Sequence, residues 1–112
     1  MDDAALLRSD AFPIHRASLR GLDVAYLREG AGGRPLVLIH GWPETKRIWH
    51  RNVAPLAAAG FEVIVPDLRG FGDTSAAPNG FYDVAAHSRD LHALVHGHLG
   101  HERVFVAGGD LG

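Results

Sequence analysis

The chain has 112 residues, 46% of them hydrophobic and 21% charged, which is the composition of one soluble globular domain at most and not of a disordered or fibrous segment. Eleven Lys and Arg against thirteen Asp and Glu give a formal charge of -2 without a concentrated basic patch, so nucleic acid is not an expected partner. The absence of cysteine removes disulfides, thiol nucleophiles and thiolate metal sites, the longest apolar runs are strand-sized, and the N-terminus is charged where a secretory signal is apolar. These features lead to the expectation of a cytoplasmic chain with no membrane partner.

Residues 12 to 19 alternate loosely, Arg20-Gly21 interrupts them, and residues 22 to 28 read Leu-Asp-Val-Ala-Tyr-Leu-Arg, which predicts two strands joined by a tight turn. Glu29 to Arg34, with Gly30, Gly32 and Gly33, reads as a loop. It does not suit a dinucleotide, because such a loop must open a helix and the next element is a strand. That strand, Pro35 to His40, is a continuous apolar run of the kind buried on both faces of a parallel sheet. After Gly41-Trp42-Pro43, residues 44 to 59 are helix-compatible, with Ile48, Trp49, Val53 and Leu56 as the apolar set. Pro55 predicts a kink or split there, and Gly60 ends the helix. Residues 61 to 66 form the next buried strand, and residues 67 to 80 a long loop holding Gly70, Gly72, Pro78, Asn79 and Gly80. Asp83 can cap a helix reaching Leu99, whose Val84, Leu91, Leu94 and Val95 fall on one side. After Gly100, residues 103 to 107 read as a short strand leading into Gly108-Gly109-Asp110-Leu111-Gly112.

This order predicts an α/β fold: a sheet of about five strands, mostly parallel, with two helices, the last three strands parallel and linked by right-handed crossovers. Functional groups in such a sheet belong at the carboxyl ends of the strands, where three segments lie: His40 to Thr45, Asp67 to Ser75, and Gly108 to Gly112. Gly108-x-Asp110-x-Gly112 has the spacing of a nucleophile elbow with Asp in place of Ser. Small residues two before and two after let the chain turn tightly, project the central side chain above the sheet, and aim the next backbone N–H at the reacting centre. Alone, the string also fits an ordinary turn. The strand that exits through Gly41 and Pro43 adds a second loop beside it, where an oxyanion hole needs its other donor.

Together, His40-Gly41-Trp42-Pro43-Glu44-Thr45, Pro66-Asp67-Leu68-Arg69-Gly70-Phe71-Gly72-Asp73-Thr74-Ser75 and Gly108-Gly109-Asp110-Leu111-Gly112 resemble, over residues 35 to 112, the N-terminal part of an α/β-hydrolase-fold enzyme. The branch is the one with an Asp nucleophile, that of epoxide hydrolases and haloalkane dehalogenases. The resemblance implies Asp110 as nucleophile and the backbone N–H groups of Leu111 and Trp42 as the oxyanion hole. It also implies a cis peptide before Pro43, with His40, Gly41, Pro43, Gly108 and Gly112 shaping the site. The substrate it implies is a small epoxide or halogenated compound, with no metal and no cofactor. A carboxylate of ordinary pKa, about 4, is already ionised at neutral pH and needs no base for its first attack. Attack on an sp3 carbon carrying a strained oxygen or a halide gives an alkyl ester. Hydrolysis of that ester calls for a histidine base, a carboxylate to orient it, and the oxyanion hole.

The finer assignment rests on small differences. Haloalkane dehalogenases usually hold the halide with a Trp after the nucleophile and often an Asn in the loop matching His40 to Pro43, and haloacetate dehalogenases usually carry Arg after the nucleophile; this chain has Leu111 and Trp42. Epoxide hydrolases often have His before the nucleophile and Trp after it, so Gly109 and Leu111 depart from that pattern as well. The His-Gly-x-Pro-Glu-Thr and Asp-x-Arg-Gly-Phe-Gly segments favour an epoxide hydrolase.

Other residues have plainer readings. His40 organises its loop, since the family's base comes late in the chain, and Asp67 and Arg69 brace their turn through backbone hydrogen bonds. His92 and His96 could chelate a metal with i, i+4 spacing, but no neighbouring carboxylate or Cys completes a ligand set, so they and His98 and His101 read as solvated surface. The sequence offers no late histidine, acid partner, helical lid or lid tyrosines. Family strand order leaves residues 103 to 107 at an open edge that can pair with another chain. Two accounts stand: a hydrolase converting epoxides to vicinal diols through Asp110, and a catalytically inactive fragment of one. A complete α/β-hydrolase sheet takes on the order of 200 to 250 residues, so residues 1 to 112 are read as a partial core domain ending at the elbow, without lid or C-terminal part.

Overall fold

The computed structural model describes residues 12 to 109. Arg20 and Gly21 adopt φ of 50° and 77°, the left-handed pair that a two-residue hairpin needs to follow the twist of its strands. They join β1 (His15–Leu19) to β2 (Leu22–Glu29), with Leu19 facing Leu22. The two apolar runs become β3 (Arg34–Ile39) and β4 (Phe61–Pro66), which pair in parallel with Leu36 facing Val63 and Val37 facing Ile64. β2 lies antiparallel on the outer side of β4, and β5 (Phe105–Gly108) lies parallel on the outer side of β3. The order is β1-β2-β4-β3-β5. The sheet is therefore mixed, its parallel part confined to β3, β4 and β5. β5 starts two residues later than the apolar run suggests, because its ladder with β3 begins at Phe105 opposite Leu36.

Both faces of the central strands are buried, and the period of two divides them. Val37, Ile39 and Ile64 face Leu94 and Val95 from one helix, together with Leu22, Val24, Tyr26 and Leu68. Leu36, Leu38, Val63 and Val65 face Val53 from the other, together with Phe12 and Leu27.

The first helix is split, but not at the proline. A 3-10 turn at Lys46–Trp49, capped by Thr45, passes directly into α1 (His50–Ala58), and Pro55 sits inside α1. Pro55 is exposed, on the solvent side of α1. The second helix begins at its expected cap: Ala86 N donates to Asp83 Oδ1 at 2.8 Å. α2 (Val84–His92) then widens into a π-helical segment, Ala93–His98, where Leu99 N donates to Leu94 O at 2.9 Å. Val84 corrects the expected apolar stripe. It is 66% exposed in the first turn, ahead of the part of the helix that crosses the sheet. β5 is exposed along its whole length, and its outer edge has no partner strand among the described residues. No described helix is long and apolar enough to cross a membrane.

Candidate functional site

Ile39, the last residue of β3, pairs with Gly108, the last residue of β5. The two parallel strands therefore release their chains side by side at one end of the sheet. Asp110, Leu111 and Gly112 lie outside the described residues, so the expected elbow is described only as far as Gly109.

The loop leaving β3 is closed on itself. Glu44 N donates to Gly41 O at 3.0 Å, and Gly41 N donates to Glu44 Oε1 at 2.9 Å. The Trp42–Pro43 peptide is cis, and the Trp42 side chain is largely exposed. His40 anchors this loop from beneath. It is fully buried, Leu68 N donates to its Nε2 at 3.0 Å, and its Nδ1 is 2.9 Å from Gly41 O. These contacts assign the ring proton to Nδ1 and tie the exit of β3 to the exit of β4. Phe71 meets the His40 ring edge to face at 5.2 Å.

The loop after β4 is held by side-chain ion pairs as well as by the backbone bonds expected for it. Asp67 accepts from Lys46 N at 2.8 Å, Asp73 N at 2.9 Å and Lys46 Nζ at 2.5 Å, and Lys46 Nζ also donates to Asp73 Oδ2 at 2.7 Å. Lys46 is only 3% exposed. Hydrogen bonding and charge from Lys46 hold the Asp73 carboxyl below the usual aspartate range. Gly72 has φ of 51°, and a Cβ there would lie 2.4 Å from Asp67 Oδ2, so only glycine lets the loop close over that carboxylate.

Arg69 reaches further than a turn brace. Its Nε and Nη2 donate to the two oxygens of Asp90 on α2, at 2.6 and 2.8 Å, and its Nη1 donates to Phe81 O at 2.8 Å. Arg20 donates to the same Asp90 carboxylate at 2.8 Å. The hydrogen bond to Asp90 raises the Arg69 pKa above its ordinary value. Sequence reasoning missed Lys46 and Asp90. Asp90 carries one signal, an acidic residue close to the apolar positions of its helix. Lys46 carries none, because nothing in its spacing reveals that it points inward.

Trp42, Phe71, Tyr82 and His87 border a depression beside these loops. His87 is 8% exposed, and burial pushes its imidazole pKa below the ordinary value. The other histidines sit elsewhere. His92, His96 and His98 are exposed on the second helix, whereas His101 is partly buried with Nε2 2.6 Å from Glu62 Oε2, a correction to the reading of all four as solvated. Among the described residues, no group of three or more His, Asp or Glu side chains is placed to hold a metal ion.

Comparisons with known proteins agree with this geometry. Residues 34–112 match the family described as alpha/beta hydrolase fold. The chain is 45% identical over 98 residues to a soluble epoxide hydrolase of Corynebacterium sp. (strain C12), covering 88% of this chain and 33% of that protein. It is 41% identical over 83 residues to a haloalkane dehalogenase of Bradyrhizobium diazoefficiens, covering 73% of this chain and 26% of the other. The structure of epoxide hydrolase A from Mycobacterium thermoresistibile superposes with a TM-score of 0.82 at 30% identity, over 89% of this chain and 32% of that one. The chain thus spans about a third, or less, of the length of the relatives it matches.

Proposed function

The chain belongs to the α/β-hydrolase fold family and is epoxide-hydrolase-like, and on that premise we propose that it supplies the nucleophile and oxyanion loop of an enzyme that opens epoxides through an alkyl ester on Asp110. The observation that carries this reading is the register of Ile39 with Gly108, which sets the exit of β3 beside the residue two positions before Asp110. One carboxylate oxygen of Asp110 attacks an sp3 ring carbon. The new C–O ester bond forms as the ring C–O bond breaks, and the alkoxide takes a proton from an acid. Water then adds to the ester carbonyl, the diol leaves with the oxygen that Asp110 supplied, and the carboxylate is restored with one oxygen from water. The N–H groups of Leu111 and Trp42 receive the charge that builds on the carbonyl oxygen in that second step. One such donor is typically worth about 3 kcal/mol of transition-state stabilisation.

The second step needs a base, and His40 does not serve, because both its ring nitrogens are already engaged by Gly41 O and Leu68 N–H. In the family this chain resembles the base comes late in the chain, so residues 1 to 112 are expected to form the ester and release little diol on their own. The aromatic border of Trp42, Phe71 and Tyr82 suits a small apolar substrate, and this chemistry asks for no cofactor. The likeness to a haloalkane dehalogenase supports a second reading on the same residue, in which a halide leaves in place of the ring oxygen and no proton is required.

Intact-mass measurement of the purified chain after exposure to an aryl epoxide or a chloroalkane separates the two. An epoxide hydrolase gains the whole mass of the epoxide. A dehalogenase gains only the alkyl group and releases one chloride per chain. Neither gain is expected in Asp110→Asn, and equal gains in that variant would overturn both readings.

A further inference from the structure

We propose that His92 and His96 form a two-point chelating site for a borderline divalent cation, Zn(II) or Cu(II), where α2 passes into its π-helical continuation. This site lies outside the machinery described above, in the half of the helix that runs toward the start of β5. The sequence shows only the i, i+4 spacing; the structure adds three observations.

First, both side chains are exposed and already neighbours, with ring centroids 4.9 Å apart. Imidazole nitrogens bind these ions at about 2.0 to 2.1 Å, which puts each ring centroid roughly 3.2 Å from the metal. Two imidazoles at a tetrahedral or square angle then hold their centroids roughly 4.5 to 5.2 Å apart. The pair is at that separation without any movement of the helix.

Second, His96 is set for ligation. Its Nδ1 is 3.3 Å from His101 O, so an Nδ1–H donated to that carbonyl leaves the Nε2 lone pair for a metal. Metal-binding histidines are commonly held in this way, through the nitrogen that does not bind. The two rings are stacked at an interplanar angle of 25°, so one must turn to bring both lone pairs to a common point. With His96 anchored, His92 does the turning, about a torsion that is broad for histidine.

Third, Glu102 borders the same depression as His92 and His96, and its charge favours a cation there. No third protein ligand completes the set among the described residues, so water fills the remaining positions. Two imidazoles select zinc or copper over Mg(II) and Ca(II), which take oxygen ligands.

The test titrates the purified 112-residue chain with zinc chloride, copper chloride and magnesium chloride, following the thermal midpoint for all three and the histidine ring proton signals for zinc and magnesium. Submillimolar zinc is expected to move the His92 and His96 signals together and to raise the midpoint; copper acts at lower concentration than zinc, and magnesium has no effect. His92→Ala and His96→Ala each weaken zinc binding by about tenfold or more, as loss of a metal-supporting group does, whereas His98→Ala leaves it unchanged. All three substitutions are at exposed positions and leave the fold intact. Zinc binding undiminished in His92→Ala, shifts confined to other histidines, or no response to zinc or copper would overturn the proposal.

Discussion

Asp90 faces two guanidinium groups at once, Arg69 through both of its oxygens and Arg20 through one, and Arg69 is 1% exposed. Removing the carboxylate leaves a buried cation without its main partner, which costs about 3 to 5 kcal/mol where such pairs are broken from one side. Asp90→Ala is accordingly expected to lower stability by that amount in chemical denaturation, a large share of what a domain of this size has. His87 sets a pH dependence of known sign. Burial keeps its folded pKa below the ordinary histidine value, so the unfolded chain binds a proton first as pH falls through about 6.5. The contribution is fully present above that pH and is lost as pH falls toward the folded value. Denaturation midpoints measured from pH 8 to 5 should therefore decline less steeply in His87→Phe than in the unmodified chain; parallel declines would remove His87 from the account.

At the scale of elements, the second helix separates what the sequence displays from what it conceals. Leu94 is 1% exposed in the core above Val37 and Ile64, whereas Val84 is 66% exposed, although both sit in the same predicted stripe. Leu94→Ala should cost about 2 to 5 kcal/mol, and Val84→Ala should stay within about 0.5 kcal/mol, both read from denaturant midpoints. The hairpin at Arg20-Gly21, the doubly buried β3 and β4 and the Asp83 cap are legible in the sequence because each rests on local chemistry: a left-handed turn, an unbroken apolar run, a capping oxygen. The position of Val84 is not, because helix periodicity fixes the face a residue takes but not how far the sheet extends beneath it. The widening at Ala93–His98 and the change of helix type at Trp49 leave no mark in the spacing of apolar residues. The loop motif is legible at the candidate site, and a loop-organising role for His40 is read from it, whereas the bond from Leu68 N–H that ties His40 to the exit of β4 is not. Lys46 and the pairing of Arg69 with Asp90 were not, because long-range ion pairs join segments that sequence spacing does not relate.

At the scale of the molecule, the five-stranded sheet formed by the described residues is covered on both faces at its centre and left open at one side. β5 exposes Phe105 at 58% and Val106 at 59%, and its outer edge presents unpaired backbone groups among the described residues. Such an edge promotes strand-to-strand pairing. Residues 1 to 112 are expected to self-associate with rising concentration in sedimentation velocity, and Val106→Lys, which places a charge on that strand, should reduce the association; a monomer at all concentrations would contradict this. The same strand leads to Asp110, on which the functional account depends. The most direct measurement is to expose the purified chain to an epoxide in excess, digest it, and locate the adduct by peptide mass spectrometry. The account predicts one ester, on Asp110, absent from Asp110→Asn. An adduct on a histidine, or one that persists in that variant, would contradict it.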